Sequence, residues 1–428
     1  MNVTIHPGRL AGAVRAPVSK SMAHRALICA ALADGLTTLH LGAQGEAALN
    51  DDIEATIDAL MALGALMDFD PRRGLLAVRP VEHAPKLNRP LEGLAGKAEA
   101  RVDYDRILTL DCGESGSTLR FLLPVACALG VKARFEGRGR LPQRPNRALT
   151  EALRAHGAAI DADALPMLAA GPLSGGLWTL PGDVSSQYVT GLLLATPLLD
   201  EDSTIRLTTP LQSAAYVAMT LEALAAFGIE VICDAGGWQV PGGQAYRSPG
   251  EVYVEGDGSA AAFWHAANAM GADVTVEGVS SRSVQGDRAV LHWLGRPEID
   301  ARDVPDLVPA LAAAAAVQPR RTVIAGAARL RLKESDRLQA VADMLNALGG
   351  AAEVMPDGLV IDGGRPLRGG TVDGRGDHRI VMAAAILATR AGGSVTITGA
   401  EAVSKSYPAF FEHFQMLGGK IDVEPAGR

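Results

Sequence analysis

Aromatic side chains are scarce in this chain of 428 residues: Phe, Tyr and Trp together make up 4%. Binding nucleic acid by base stacking needs aromatic platforms, so the composition argues against that class. Positive charge is not in excess either, because the formal net charge is -8. A global basic field for nucleic acid or an anionic membrane is absent, and any anion site must be local, built from placed Arg and Lys. Cysteine is limited to Cys29, Cys112, Cys127 and Cys233, with no C-x-x-C pair, and His24 near Cys29 has no second pair to complete a metal site. Buried thiols in a reduced setting are expected, with no metal and no cofactor. Apolar stretches such as Leu307 to Val317 are too short to span a bilayer. The opening residues, Met1 to Pro7, lack the basic start and apolar run of a signal peptide. A cytoplasmic location is expected, with neither nucleic acid nor membrane as partner. There is no Walker-type phosphate loop and no dinucleotide fingerprint.

What is present is Ala, Leu and Gly, in a chain long enough for two domains. One kind of segment recurs, a small or polar start running into a helix that is apolar on nearly every side. Examples are Ser19 to Ala33, Ser115 to Leu129, Ser185 to Leu199, Gly258 to Met270, Pro305 to Val317 and Asp377 to Ala391. Helices apolar all round are buried ones, and their recurrence implies a repeated architecture. Amphipathic stripes alternate with them: Ile53, Ile57, Leu60 and Met61; Leu149 and Leu153; Val217, Leu221, Leu224 and Phe227; Leu338, Val341, Leu345 and Leu348; Phe410, Phe414 and Leu417. Spacings of three and four put each set on one helix face, and a glycine ends each stripe as a left-handed cap. A sixth copy around Leu291 to Gly295 is truncated. The economical reading is six units, three per domain, with the boundary in the Pro/Gly-rich stretch Val240 to Gly250. A plain two-domain α/β protein without repeats is the alternative.

Charged and small residues collect where the buried helices begin. Helix N-termini present unpaired N–H groups and a positive dipole end, so they suit anions. The first reads Ser19-Lys20-Ser21 with Arg25, the second Gly113 to Thr118 with Arg120, and the third Gly182-Asp183-Val184-Ser185-Ser186-Gln187. Ser and Gly commonly just cap helices, but capping does not account for Lys20, Arg25 or Arg120. The second half adds Asp303-Val-Pro-Asp306, Lys333-Glu334-Ser335-Asp336-Arg337 opening an amphipathic helix, Asp377-His378-Arg379, and Ser404-Lys405-Ser406-Tyr407-Pro408. Such a site binds anionic groups and transfers protons with Asp, Glu and Lys. Phosphate-binding transferases, isomerases and lyases all fit.

These motifs, in this order from about residue 10 to 420, resemble the EPSP synthases. The resemblance implies an α/β fold of two domains, each of three βαβαββ repeat units around buried helices, of the inside-out α/β barrel type. One domain is expected from 1–18 plus 245–428, with its first unit, the fourth of the chain, shortened between Asp287 and Asp303. The other spans 19–244, with the active site in the cleft between them. The implied reaction joins phosphoenolpyruvate to the 5-hydroxyl of shikimate-3-phosphate and releases phosphate, with no cofactor and as a monomer. By the same resemblance Lys20, Ser21, Arg25, Ser185, Ser186, Gln187, Ser213, Tyr216, Asp306 and Lys333 bind shikimate-3-phosphate. Lys20, Gly116, Arg120, Arg140, Gln187, Arg337, Arg379 and Lys405 bind phosphoenolpyruvate, Arg140 lying in a loop with Arg144. Lys20, Asp306 and Glu334 carry the catalysis, Glu334 as the acid and Asp306 as the base.

Some positions depart from the family pattern. Glu114 stands where many members have Asn, Ser117 replaces Thr, and Arg329 sits where some members have Asn. Gly116, rather than Ala, implies sensitivity to the inhibitor glyphosate. The nearest rival is UDP-N-acetylglucosamine enolpyruvyl transferase, which typically carries a reactive Cys in the loop matching Arg138 to Asn146; this chain has none there. A non-catalytic anion-binding protein on the same fold is the remaining alternative, opposed by Lys20, Asp306 and Glu334 occurring together.

Overall fold

Short strands separated by helices sort this chain into repeated small sheets. The computed structural model describes residues 1–42, 49–81 and 107–424. Five four-stranded sheets share one topology. In one of them Gly176–Leu180 pairs parallel with Ser203–Leu207, which pairs antiparallel with Gly237–Val240, which in turn pairs antiparallel with Ile232–Asp234. A parallel pair needs a crossover, and here the crossover is the buried helix Ser186–Ala195. The sheets stay separate, and none closes on itself among the described residues.

The chain forms two compact units, Met1–Pro17 with Gly256–Arg428, and Val18–Glu255. The boundary read from sequence, after 244, thus lies short of the one in the structure. Residues 245–255 stay with the second unit because Glu251–Tyr253 pairs parallel with Thr37–His40. In the first unit, Asn2–His6 runs antiparallel between Val395–Thr398 and Lys420–Glu424. The shortened fourth unit is a two-stranded sheet, Ala11–Arg15 beside Asp273–Glu277. Its amphipathic helix is reduced to Val290–Trp293. The loss is larger than expected from sequence, since neither strand of the closing hairpin is there among the described residues.

The apolar helices lie where their patterning requires. In Val18–Glu255, the helices Lys20–Leu32, Gly116–Ala128 and Ser186–Ala195 are buried along nearly their whole length. Pro124 sits inside the second of these. It has no N–H to give to the carbonyl four residues back, which is Arg120's. Gly191 of the third helix packs into that spot, and a Cβ there would overlap the Arg120 carbonyl oxygen. In the other unit Gly258–Ala269, Val308–Val317 and His378–Ala388 pack on one another.

The amphipathic helix Asp51–Ala62 buries Ile53, Thr56, Ala59 and Leu60, while Met61, assigned from sequence to its apolar stripe, is exposed. Thr56 takes the inner face because its hydroxyl is hydrogen-bonded there. Cys29, Cys112 and Cys127 are buried and Cys233 is exposed. Burial pushes the Cys127 thiol up to about 12 and shifts Cys29 and Cys112 the same way. Among the described residues no helix is long and apolar enough to cross a membrane.

Candidate functional site

The sequence-derived candidates fall into two clusters, one in each unit. In Val18–Glu255 the cluster gathers at three helix starts. Lys20 opens its helix and its Nζ lies 2.7 Å from Asp52 Oδ2. Arg25, one turn on, is turned inward. Its Nε donates to Thr220 Oγ1 (2.8 Å), Nη1 to the Ser21 carbonyl (2.5 Å), and Nη2 to the Tyr216 carbonyl (2.8 Å) and Thr190 Oγ1 (3.3 Å). The guanidinium also lies over the Phe121 ring. Burial pulls it down to about 10, which leaves it charged at neutral pH. Arg120 is held likewise, with Nη1 on Gln187 Oε1 (2.6 Å), Nη2 on the Pro145 carbonyl (2.9 Å) and Nε on Asn146 Oδ1 (3.1 Å). Gln187 in turn donates to Ser117 Oγ.

These arginine contacts are to neutral oxygens, so they orient positive charge without cancelling it. Ser185 caps its helix by accepting from the Gln187 N–H, and Ser186 and Gln187 form the first turn. Ser213 immediately precedes Ala214–Ala226 with φ 59°, a left-handed conformation that is strained for serine and typical of ligand sites. Gly116 faces the Arg144 guanidinium, and a Cβ on it would lie 2.7 Å from Nη1. Arg140 immediately precedes the short turn Leu141–Gln143. Glu114 lies against Gly139 of that loop.

Behind Lys20, His24 Nδ1 is 2.7 Å from Thr56 Oγ1, which is 2.6 Å from Thr118 Oγ1, itself bonded to Ser115 Oγ. Burial, reinforced by Lys20 and Arg25, holds His24 well below its usual 6.5. The unfolded chain therefore binds this proton more readily, so His24's contribution to stability is full above about pH 6.5 and is lost as pH falls below it. One group can add at most ~1.4 kcal/mol per pH unit to the slope of stability against pH. His24→Asn keeps a polar group facing Thr56 and should remove that slope in denaturant unfolding at pH 5, 6 and 7. Equal slopes in variant and parent would count against the assignment.

In the other unit the cluster is balanced by carboxylates. Residues 333–336 precede the helix Arg337–Ala347 rather than opening it, and Asp336 is the cap, accepting from the Gln339 N–H. Arg337 is only 1% exposed. Its Nε and Nη2 grip Asp377 at 2.9 and 3.1 Å, Nη1 reaches Asp306 Oδ1 at 3.0 Å, and Nη2 reaches Glu334 Oε2 at 2.7 Å. Burial works against its charge, but Asp377, Glu334 and Asp306 outweigh that and raise its pKa further.

Asp306 also takes Arg379 Nη2 at 3.1 Å and lies 3.5 Å from Lys333 Nζ. Burial would raise its pKa, yet Arg379, Lys333 and Arg337 together hold it well below the carboxylate range. Lys405 Nζ donates to the Gly376 carbonyl at 2.7 Å. Arg329 donates to the Arg302 carbonyl.

Sequence reasoning missed Asp52, Asn146 and the role of Asp377. Asp52 has no signal beyond its place in the first turn of a helix. Asp377 was visible as the first residue of Asp-His-Arg, but its hold on Arg337 depends on two helix starts meeting. Among the described residues no group of three or more His, Cys, Asp or Glu is placed to hold a metal ion.

The family model described as EPSP synthase (3-phosphoshikimate 1-carboxyvinyltransferase) matches residues 5–299 and 294–414. A Clostridium kluyveri protein named 3-phosphoshikimate 1-carboxyvinyltransferase is 38% identical, over 100% of this chain and 99% of its own length. One from Clostridium acetobutylicum with the same name is 37% identical over 98% of each chain. Among solved structures, the EPSP synthase of Acinetobacter baumannii matches with a TM-score of 0.76 at 27% identity, covering 99% of this chain and 100% of that one. The enolpyruvyl transferase NikO of Streptomyces tendae shares the fold, with a TM-score of 0.73 at 19% identity over 98% of each chain.

Proposed function

Because the chain belongs to the EPSP synthase (3-phosphoshikimate 1-carboxyvinyltransferase) family, we propose that it transfers the enolpyruvyl group of phosphoenolpyruvate to the 5-hydroxyl of shikimate-3-phosphate, releasing phosphate. This is a step of the shikimate pathway toward chorismate and the aromatic amino acids. The observation that carries the reading is the contrast between the two clusters. One offers two arginines, Arg25 and Arg120, oriented by neutral oxygens beside the Lys20–Asp52 pair, while the other holds two carboxylates, Asp306 and Glu334, on one buried guanidinium.

In this reading Lys20, Ser21, Arg25, Ser185, Ser186, Gln187, Ser213, Tyr216, Asp306 and Lys333 receive shikimate-3-phosphate. Lys20, Gly116, Arg120, Arg140, Gln187, Arg337, Arg379 and Lys405 receive phosphoenolpyruvate. Glu334 gives a proton to the methylene carbon of phosphoenolpyruvate, leaving C2 electron-poor. The 5-hydroxyl oxygen bonds to C2 while its proton passes to Asp306, assisted by Lys20. The C2–O bond to phosphate then breaks, the leaving phosphate takes the proton held by Asp306, a methyl proton returns to Glu334, and the enol ether remains.

Asp306 is ionised, as a base must be, but three cations make it a weak one. Phosphoenolpyruvate brings negative charge that competes for Arg379, and shikimate-3-phosphate for Lys333, and drawing these two off restores part of Asp306's basicity while Arg337 keeps its contact. The base is thus strengthened by the ligand it serves.

Phosphate release is the test, with each ligand alone, with both, and with UDP-N-acetylglucosamine as the rival acceptor. Release that needs shikimate-3-phosphate and phosphoenolpyruvate together supports the reading. Release with the nucleotide sugar points to the sibling reaction, and none with either points to a binding protein. The same reading makes the protein a glyphosate-sensitive monomer. Gly116→Ala must displace the Arg144 guanidinium, a flexible side-chain end, so folding is spared while the site changes shape. The parent should be inhibited within a low-micromolar to millimolar series, and the variant should need at least about tenfold more glyphosate. Indifference of the parent would sink this part of the reading.

A further inference from the structure

Asp377 is the most enclosed carboxylate of the balanced cluster. Its side chain is 0% exposed, against 15% for Asp306 and 18% for Glu334. Both of its oxygens are engaged. Oδ1 accepts from the Arg379 N–H, capping the helix His378–Ala388, and from Arg337 Nη2. Oδ2 accepts from Arg337 Nε and from the Ser335 hydroxyl at 2.8 Å. A fully buried charge survives only when paired and hydrogen-bonded, and here the pairing is to one edge of a guanidinium whose other contacts are Asp306 and Glu334. Arg337 therefore has one partner that solvent and ligands cannot reach and two that they can. The planar fork transmits the grip: fixing the Nε–Nη2 edge fixes the direction of Nη1 and of the second Nη2 hydrogen.

We propose that Asp377 is a positioning residue for enolpyruvyl transfer. It clasps Arg337 so that the opposite edge of the same guanidinium sets the base, Asp306, and the acid, Glu334, at a fixed separation, and it keeps its hold while an anionic substrate competes for the exposed edge. The proposal rests on the reading above, and it adds that the spacing of acid and base is fixed by a group that touches neither substrate. A cap alone needs only one oxygen. The second oxygen, given to Arg337 and Ser335, is the part of the arrangement that capping leaves unexplained.

Asp377→Asn keeps the shape and one acceptor oxygen but turns an amide N–H₂ toward the guanidinium or the helix N–H. The expected result is a fall in kcat on the order of 10²-fold, with KM for both substrates within about threefold. With the charge at 377 gone, Arg337 weighs more on Glu334, so the alkaline limb of the kcat–pH profile should move to lower pH. Ser335→Ala loosens only Oδ2 and should lower kcat by about threefold to tenfold, giving an answer even if the Asn variant does not fold. A kcat and pH profile like the parent's in both variants would overturn the proposal, and so would a loss that tracks unfolding temperature with the profile unmoved.

Absence of phosphate release from the parent counts against the functional reading and not against Asp377. For that case the Arg337 Nε–H resonance, assigned by its loss in Arg337→Lys, answers without turnover. It should exchange slowly in the parent and be broadened by exchange in Asp377→Asn. A resonance unchanged between them overturns the clasp.

Discussion

Replacing Glu334 by Gln should lower kcat on the order of 10³-fold while both ligands still bind. The substitution keeps the length and an acceptor oxygen for Arg337 Nη2, 2.7 Å away in the parent. It removes the acidic proton, which an amide cannot supply. Arg337 retains Asp306 and Asp377, so no buried charge is left alone and the fold has no reason to fail. Steady-state phosphate release gives kcat, and calorimetric titration with shikimate-3-phosphate gives binding, which should stay within about threefold of the parent. Turnover within tenfold of the parent would move the acid role to another group.

Gly191→Ala should destabilise the protein by about 3 kcal/mol, through backbone overlap rather than lost chemistry. Its Cβ would meet the Arg120 carbonyl oxygen and Pro124 Cγ, the first a backbone atom with no rotamer to escape into. Pro124 leaves that carbonyl without its helical N–H, and a Cβ at 191 would come within 2.2 Å of its oxygen. Urea unfolding checks the magnitude. A loss under about 0.5 kcal/mol, the range of surface substitutions, would mean that the two helices slide apart easily. Because the overlapped carbonyl is Arg120's own, the variant should also weaken phosphoenolpyruvate binding before it unfolds.

The buried helices were legible from sequence because runs such as Ala310 to Ala316 carry no polar face at all, and a helix of that kind has only one place to go. The helix starts were legible for a related reason, since Ser115, Ser185 and Asp377 offer side-chain oxygens just before an apolar run. What escaped depends on partners far away in the chain. Periodicity assigned Met61 to the inner face of its helix, whereas Thr56 lies there, admitted by the hydroxyl of Thr118 and a ring nitrogen of His24. Arg25 and Arg337 were read as ligand contacts, and nothing local announces that Thr220 or Asp377 will take their donors. The boundary near residue 250 was drawn short because Glu251–Tyr253 has no pattern of its own and is a strand only through its pairing with Thr37–His40.

The pairing of Asn2–His6 with Val395–Thr398 and Lys420–Glu424 has a consequence for how the molecule comes into being. At roughly 5–20 residues per second of synthesis, the first strand made waits some tens of seconds for either neighbour. The unit Val18–Glu255 is continuous and can fold during that wait, with the leading segment still unpaired beside it. Val3 and Ile5, fully buried in the finished sheet, are exposed to solvent and chaperones throughout. A nascent chain arrested near residue 390 should therefore resist protease from about residue 107 to 255 and be cut within Asn2–His6, whose two partner strands are not yet made.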